Sequence, residues 1–305
     1  MYWNLVLIYG QIENRGGKFV KVEVLKSLSD DMVLWRYMSL DKLINLLDDG
    51  GLFFAPLTAF QKSDPFEGYP PAAGLKAMYT LTDSAYKVAR ETLILAEAIE
   101  KPWSPVVEAA VQQAREGLAD RPAKFRALMD ALLKGMLVSC WYYSEHQSEA
   151  MWKLYGDQGK GIAIRTTVGK LKAALSGTLS DDQQKTIFIG KVKYVDYSDT
   201  NITAADCVVD GHIAPLLKRI SYSHENEVRA FLSPDIDVSK VEEFVAKPFV
   251  ADCDVRALIE AVYVSPFASN SFLKAVKAVV GRFDLRCSVM NSDLLAGADE
   301  LFRIE

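Results

Sequence analysis

The chain has 305 residues, of which 50% are apolar and 25% are charged, so the composition predicts a buried core and excludes wholesale disorder. The 35 basic and 40 acidic residues give a net charge of -5, which argues against a generally basic surface that coats nucleic acid. The 4 cysteines are too sparse for a disulfide scaffold, and no apolar run reaches the ~18 residues of a membrane helix, so we expect a cytoplasmic protein without membrane association.

The first part of the chain predicts a compact strand–helix–strand unit. Residues 1–30 predict one or two short strands, and residues 32–37 predict another. Ser39 is the expected N-cap of a short helix, which a glycine pair ends before a strand at residues 52–54.

Residues 75–136 differ from the rest because their apolar residues recur at helical spacing, which predicts three helices. Later segments predict mainly strands, at residues 137–141, 161–164, 186–189, 192–195, 228–231, 261–264 and 285–289, with helices around 254–259 and 271–282. The order predicts a single α+β domain over residues 1–305, with a mixed or antiparallel β core and residues 75–136 as a helical insertion.

Arg36 lies between large apolar residues on a predicted core strand. An unpaired buried guanidinium is unfavourable, so Arg36 is expected to have an anionic partner. That partner is either an anionic ligand or an acidic side chain in an internal ion pair, and the remaining alternative is that Arg36 lies on an exposed edge.

A loop at residues 60–68 places Asp64 and Glu67 beside two aromatic residues. The Asp-Pro step favours a turn, in which Asp64 caps backbone amides and Phe66 fills the core. The favoured interpretation of this segment is therefore structural.

An aromatic and polar cluster follows the strand that begins near Leu137. It contains Ser139, Tyr142 and Tyr143, and aromatic rings of this kind stack on flat ligands. Core packing explains such aromatic residues equally well when each is taken alone.

Glu225 and Glu227 form a Glu-x-Glu pair ahead of Arg229. On a strand, the side chains of these three residues would point to one face, because strand side chains alternate. Two adjacent carboxylates predict either acid–base chemistry or a solvated edge with an ion pair.

The order of these segments resembles the bacterial domain-of-unknown-function 2971 family. The matching segments are Tyr37 with Ser39 and Leu40, residues 51–54, residues 64–67, residues 138–141, Met151 with Trp152, Tyr155, residues 159–161, Lys218, Tyr222 and residues 225–229. The resemblance runs from about residue 32 to about residue 290.

A looser resemblance is to the ADP-ribosyltransferase fold, which has a basic residue, a polar or aromatic motif and a glutamate on successive core strands. The residues that match in order are Arg36, the segment 139–143 and Glu227. The resemblance implies that NAD is the substrate. The residues implied to bind it are Arg36, Tyr37, Ser139, Tyr142 and Tyr143.

Within that resemblance, Arg36 would bind the pyrophosphate and a tyrosine would stack on the nicotinamide. Glu227 would stabilise the positive charge that develops on the ribose, and Glu225 would orient or deprotonate the acceptor. No metal is implied.

The leading hypothesis is therefore an NAD-dependent ADP-ribosyltransferase-like enzyme, acting as a bacterial toxin or phage-defence effector. Its expected partners are a protein or nucleic-acid acceptor and an antitoxin. The alternative is a non-enzymatic relative that binds a nucleotide or a partner. A third hypothesis is a metal-dependent nuclease, which would need Asp64, Glu67, Glu225 and Glu227 to converge around magnesium.

Overall fold

A computed structural model describes residues 21–156, 159–176, 186–234, 241, 244–245, 247–295 and 297. Its strands are β1 (Lys21–Val24), β2 (Val33–Ser39), β3 (Gly51–Pro56), β4 (Leu137–Tyr143), β5 (Gly161–Thr167), β6 (Thr186–Lys191), β7 (Lys193–Val195), β8 (Leu217–Arg219), β9 (Glu227–Leu232), β10 (Phe249–Asp252), β11 (Ala261–Val264) and β12 (Ser288–Asn291). Its α-helices are α1 (Leu40–Asp49), α2 (Ala72–Leu81), α3 (Lys87–Glu97), α4 (Pro105–Ala119), α5 (Arg121–Gly135), α6 (Glu149–Tyr155), α7 (Val168–Leu175), α8 (Val255–Leu258) and α9 (Asn270–Arg282).

The centre of the molecule is a large mixed sheet. Its main path runs β1-β6-β9-β4-β2-β5-β11-β12, with β3 paired to β4 and β10 paired to β3. The terminal pairs β1–β6 and β11–β12 are parallel, whereas the inner pairs are antiparallel. This arrangement confirms the prediction of an α+β protein with a mixed, mainly antiparallel β core.

Both faces of the sheet are covered, as the alternation of side chains along β2 requires. Leu34 and Met38 face the main hydrophobic core, which contains buried residues of α1, α7 and α9. The intervening Trp35 and Tyr37 face the opposite side and pack with Trp152 of α6. The site described below lies at β2, between the main hydrophobic core on one face of the sheet and the α6 packing on the other.

The segment after β3 is helical, but the prediction of three helices over residues 75–136 is wrong. Four α-helices, α2 to α5, occupy this part of the chain, and the first begins at Ala72. The turn that divides α4 from α5 falls at Asp120, directly before Arg121 and Pro122. A short 3-10 helix over Thr82–Tyr86 divides α2 from α3, and no proline marks this division in the sequence.

One further prediction differs in extent from the structure. The last strand begins at Ser288, because Leu285 is buried in the core just after α9 instead of pairing in the sheet. The strands predicted before residue 21 lie outside the described residues. Within the described part of the chain, none of the helices combines the length and the apolar character needed to cross a bilayer.

Candidate functional site

A cavity of about 530 Å³ opens where β2 and β4 separate. These two strands pair only at Leu34–Tyr143 and Trp35–Tyr142. Beyond that point β2 continues along β5, while the first residues of β4 pair with β3. The sheet is therefore split between β2 and β4, and the helix α1 that joins β2 to β3 forms one side of the opening.

The cavity brings together most of the residues that the sequence singles out. The predicted residues that line it are Arg36, Tyr37, Ser139, Tyr142, Glu225 and Glu227. Tyr143 is not among the lining residues, and its ring lies instead 4.7 Å from the Nζ atom of Lys191. Tyr143 is partly buried and packs against the main hydrophobic core.

One side of the cavity carries a cation, Arg36, that has no anionic side-chain partner among the described residues. Nη1 of Arg36 donates a hydrogen bond of 2.7 Å to the hydroxyl of Ser139, and the guanidinium carbon lies 5.4 Å from the centre of the Trp141 ring. Among the described residues, no carboxylate forms an ion pair with Arg36, so the internal ion pair expected from the sequence is not found there. Burial lowers the pKa of Arg36, as expected for a charge that lacks compensation.

The other side of the cavity holds a buried network of three carboxylates and two cations. Nζ of Lys218 donates to Glu227 Oε1 at 2.6 Å, contacts an oxygen of Glu225 and lies 3.3 Å from Glu67 Oε2. Arg229 donates from Nε to Glu227 Oε2 at 2.7 Å and from Nη1 to Glu67 Oε1 at 2.8 Å. With every group ionised, this network has one more negative than positive charge.

Glu225 does not lie on the same strand as Glu227, which corrects the strand prediction. It is the last residue of a short 3-10 helix over Ile220–Glu225, and β9 begins at Glu227. The backbone of Asn226 between them is left-handed, with φ of 35°. The two carboxylates meet around Lys218 because of this turn. The expected ion pair between Glu227 and Arg229 is present, but it is buried and does not form a solvated edge.

The environments of the two glutamates push their pKa values apart. Burial alone would raise the pKa of Glu227, but the charges of Arg229 and Lys218 outweigh burial and hold that pKa well below its usual range. Burial raises the pKa of Glu225, and the neighbouring Glu227 carboxylate raises it further. Two carboxylates with pKa values shifted in opposite directions can take different roles, one as a fixed charge and one as a proton carrier.

Arg36 and Glu227 reach the cavity from opposite faces of the sheet. Trp35, Tyr142 and Glu227 are paired in one row across β2, β4 and β9, so their side chains share a face. Arg36 follows Trp35 and therefore leaves the other face, where it meets Ser139. Both residues line one cavity because the sheet is open between β2 and β4.

The sequence does not identify Lys218 and Tyr155 as site residues, and it favours a structural role for Glu67, with magnesium binding as the other hypothesis. In the structure Glu67 is buried and bonded to Arg229. In the same loop, the carboxylate of Asp64 accepts from the amide of Phe66 as predicted, but the side chain of Phe66 is 52% exposed and does not fill the core. In the sequence, the spacing of Asp64 and Glu67 is the signal that these acids belong to a site. Only the tertiary structure brings Arg219 to Asp64 and Arg229 to Glu67.

The four acids predicted for a magnesium site do not form one open cluster. The carboxylate of Asp64 pairs with Arg219, while the other three surround Lys218. In the part of the chain that the structure describes, no group of three or more His, Cys, Asp or Glu side chains is arranged to hold a metal ion. The ammonium of Lys218 occupies the centre where a cation would bind, so this geometry does not favour the nuclease hypothesis.

The fold and the cavity define a mixed α+β protein with a ligand-sized cleft in its sheet. Residues 151–230 match the model of a family described as protein of unknown function (DUF2971), which confirms the family prediction for this part of the chain. The matched region includes Tyr155, Lys218, Glu225 and Glu227, whereas Arg36 lies outside it. No curated protein and no solved structure matches the chain.

Proposed function

We propose that the cavity binds NAD and that the protein transfers the ADP-ribosyl group to an acceptor. The observation that carries this proposal is the combination, in one cavity, of a guanidinium that forms no ion pair within the described ranges and a pair of carboxylates with oppositely shifted pKa values. These are the groups that a ligand with an anionic pyrophosphate and a reactive ribose requires.

The residues of the cavity fit such a ligand. Its volume of about 530 Å³ lies within the range of small-molecule sites, about 300–1,000 Å³. Arg36 supplies the charged donors that bind phosphate oxygens in parallel. Tyr37 and Tyr142 also line the cavity, where an aromatic ring of the ligand can pack against them.

NAD, when bound, supplies an ADP-ribosyl group whose bond to nicotinamide breaks with the electron pair leaving on nicotinamide. Glu227 keeps its negative charge at neutral pH, and this charge stabilises the positive charge that develops on the ribose as the bond breaks. Glu225 has the raised pKa suited to a proton acceptor, so its carboxylate oxygen takes the proton of the acceptor's attacking group. Arg36 binds the pyrophosphate and so keeps the bond between ribose and nicotinamide near Glu225 and Glu227.

The order of the strands supports the proposed likeness to ADP-ribosyltransferases. Arg36 is on β2, Ser139 on the neighbouring β4 and Glu227 on β9, the strand beyond β4. An enzyme of this class suits the predicted role of a cytoplasmic toxin or phage-defence effector. The protein or nucleic-acid acceptor and the antitoxin remain predictions that belong to that role.

A non-enzymatic nucleotide-binding protein is the second candidate, and one observation favours it. Both carboxylate oxygens of Glu227 already accept hydrogen bonds, from Lys218 and Arg229. A carboxylate neutralised in this way contributes less to a cationic transition state than a free one. In this case the cavity would bind the ligand without cleaving it.

An assay of labelled NAD, with cell extract or purified nucleic acid as acceptor, distinguishes the two candidate functions. For the enzyme, we expect Glu227→Gln to lower NAD turnover on the order of a hundredfold to a thousandfold. Glu225→Gln should lose transfer while keeping some hydrolysis of NAD. The control is Glu149→Gln, which removes an exposed ion pair with Lys153 and one acidic charge from the first turn of α6.

Binding is measured in parallel by calorimetry, with circular dichroism to confirm that each variant is folded. Arg36→Ala should abolish NAD binding. NAD binding without turnover by the wild-type protein would support the second candidate. Absence of binding at millimolar NAD would overturn the proposed enzyme.

A further inference from the structure

Tyr155 connects helix α6 to the acid side of the cavity. Its hydroxyl donates a hydrogen bond of 3.0 Å to Oε1 of Glu225, and the residue is part of the cavity lining. The other oxygen of Glu225 contacts the ammonium of Lys218. Both carboxylate oxygens of Glu225 therefore have a fixed partner.

Contacts between helix α6 and strand β2 set the position of Tyr155. Helix α6 begins at the N-cap Ser148, whose side chain accepts from the amide of Met151. The amide of Ser148 donates to the hydroxyl of Tyr37 at 2.9 Å, and the ring of Trp152 packs edge-on against Tyr37 at 4.9 Å. Helix α6 is thus anchored to β2 at one end and presents Tyr155 to Glu225 at the other.

The charged groups around Glu225 come from several elements. Lys218 comes from β8, Glu227 and Arg229 from β9, and Glu67 from the loop after β3. Among these groups, Tyr155 provides the only neutral hydrogen-bond donor to the Glu225 carboxylate in the described part of the chain. A donor to a carboxylate favours its ionised form, whereas the neighbouring Glu227 opposes it.

We infer that Tyr155 is a positioning residue that holds the ionised carboxylate of Glu225 towards the cavity, ready to accept a proton. The inference rests on the proposed function, in which Glu225 takes the proton of the acceptor. Tyr155 keeps its own proton throughout, because burial and the charge of Glu225 raise the pKa of its hydroxyl far above neutral. Only the proton of the acceptor moves, and its destination is a carboxylate oxygen of Glu225.

The test replaces Tyr155 by Phe, which keeps the ring and removes the hydroxyl. The matched control is Tyr263→Phe, because the Tyr263 ring packs on Trp35 away from the acids. The first readout is the titration of Glu225 followed by NMR of ¹³C-labelled glutamate carboxyls, with the Glu225 signal assigned from Glu225→Gln. We expect Tyr155→Phe to move the Glu225 midpoint to higher pH and Tyr263→Phe to leave it unchanged.

The second readout is the pH profile of NAD turnover. In Tyr155→Phe we expect kcat to fall about tenfold near neutral pH, with KM for NAD within about twofold, and the rising limb to move to higher pH. An unchanged Glu225 titration overturns the inference, whether or not the protein uses NAD. The remaining outcome is that Tyr155→Phe shifts the Glu225 titration while the wild-type protein does not turn over NAD. This result would support the contact between Tyr155 and Glu225 but overturn both the catalytic role and the proposed function.

Discussion

Arg36 and Arg229 are both strand arginines that line the cavity, yet their surroundings are opposite. Arg229 is buried and bonded to two carboxylates, those of Glu227 and Glu67. Arg36 contacts a serine hydroxyl and a tryptophan ring but has no carboxylate partner in the described ranges. Because a buried charge needs compensation, Arg229 is required by the folded protein itself, whereas Arg36 is available to an anionic ligand.

This contrast predicts different effects of the same substitution. Arg229→Met leaves two buried carboxylates short of a partner and should lower the free energy of unfolding by about 3–5 kcal/mol. Arg36→Met loses one hydrogen bond and no ion pair, so a change of about 1 kcal/mol or less is expected. Urea unfolding of both variants measures the difference. Equal losses would show that Arg36 is also structurally compensated.

At the scale of an element, the loop between β3 and α2 brings Glu67 into the network. The loop is held by the ion pair of Asp64 with Arg219 and by the hydrogen bond from the hydroxyl of Tyr222 to the carbonyl of Ser63. Gly68 follows with φ of 82°, in the left-handed region that favours glycine. The loop can approach the core closely at this position because a Cβ atom is absent.

Gly68→Ala should therefore destabilise the protein. The added Cβ would lie 2.6 Å from Cδ2 of Leu57 and 2.7 Å from Cδ2 of Leu133, and both leucines are fully buried. We expect a loss of about 1–3 kcal/mol in the free energy of unfolding from overpacking and the unfavourable φ. The control is Gly117→Ala, which is helical with open space at its Cβ and should stabilise by about 0.4–1 kcal/mol. Thermal or urea unfolding compares the two, and a stable Gly68→Ala protein would contradict this account of the loop.

At the scale of the whole molecule, the acid network links stability to pH. The pKa of Glu227 is lowered on folding, so its contribution to stability is present above its unfolded pKa and is lost as the pH falls through its folded pKa. The pKa of Glu225 is raised on folding, so its contribution is present below its unfolded pKa and is lost as the pH rises through its folded pKa. The two glutamates therefore give stability profiles of opposite slope.

Single substitutions should reveal these opposite slopes. Relative to the wild type, Glu227→Gln should become progressively less stable as the pH rises from about 2 to about 5. Glu225→Gln should become progressively more stable, relative to the wild type, as the pH rises above about 4. Urea unfolding at about pH 3, 5 and 7 measures both trends, with Glu149→Gln as the surface control. Trends of the same sign would mean that the two carboxylates share one environment.

The sequence by itself determined most of the local elements and the type of sheet. Helix α1 carries apolar residues at helical spacing and ends at Gly50, whose left-handed conformation glycine adopts readily. Strand β9 alternates Glu227 and Arg229 with apolar residues, which predicted both the strand and the ion pair. These signals are readable because they depend on neighbours along the chain.

Only the tertiary structure decided which charges meet. Glu67 and Arg229 are separated by 162 positions, and their contact depends on how the loop after β3 packs against β9. Lys218 joins three acids from two segments, and the cavity exists because β2 and β4 pair at two positions and then diverge. Charge compensation and strand divergence arise from contacts that are distant in sequence, so the residue pattern along one strand does not contain them.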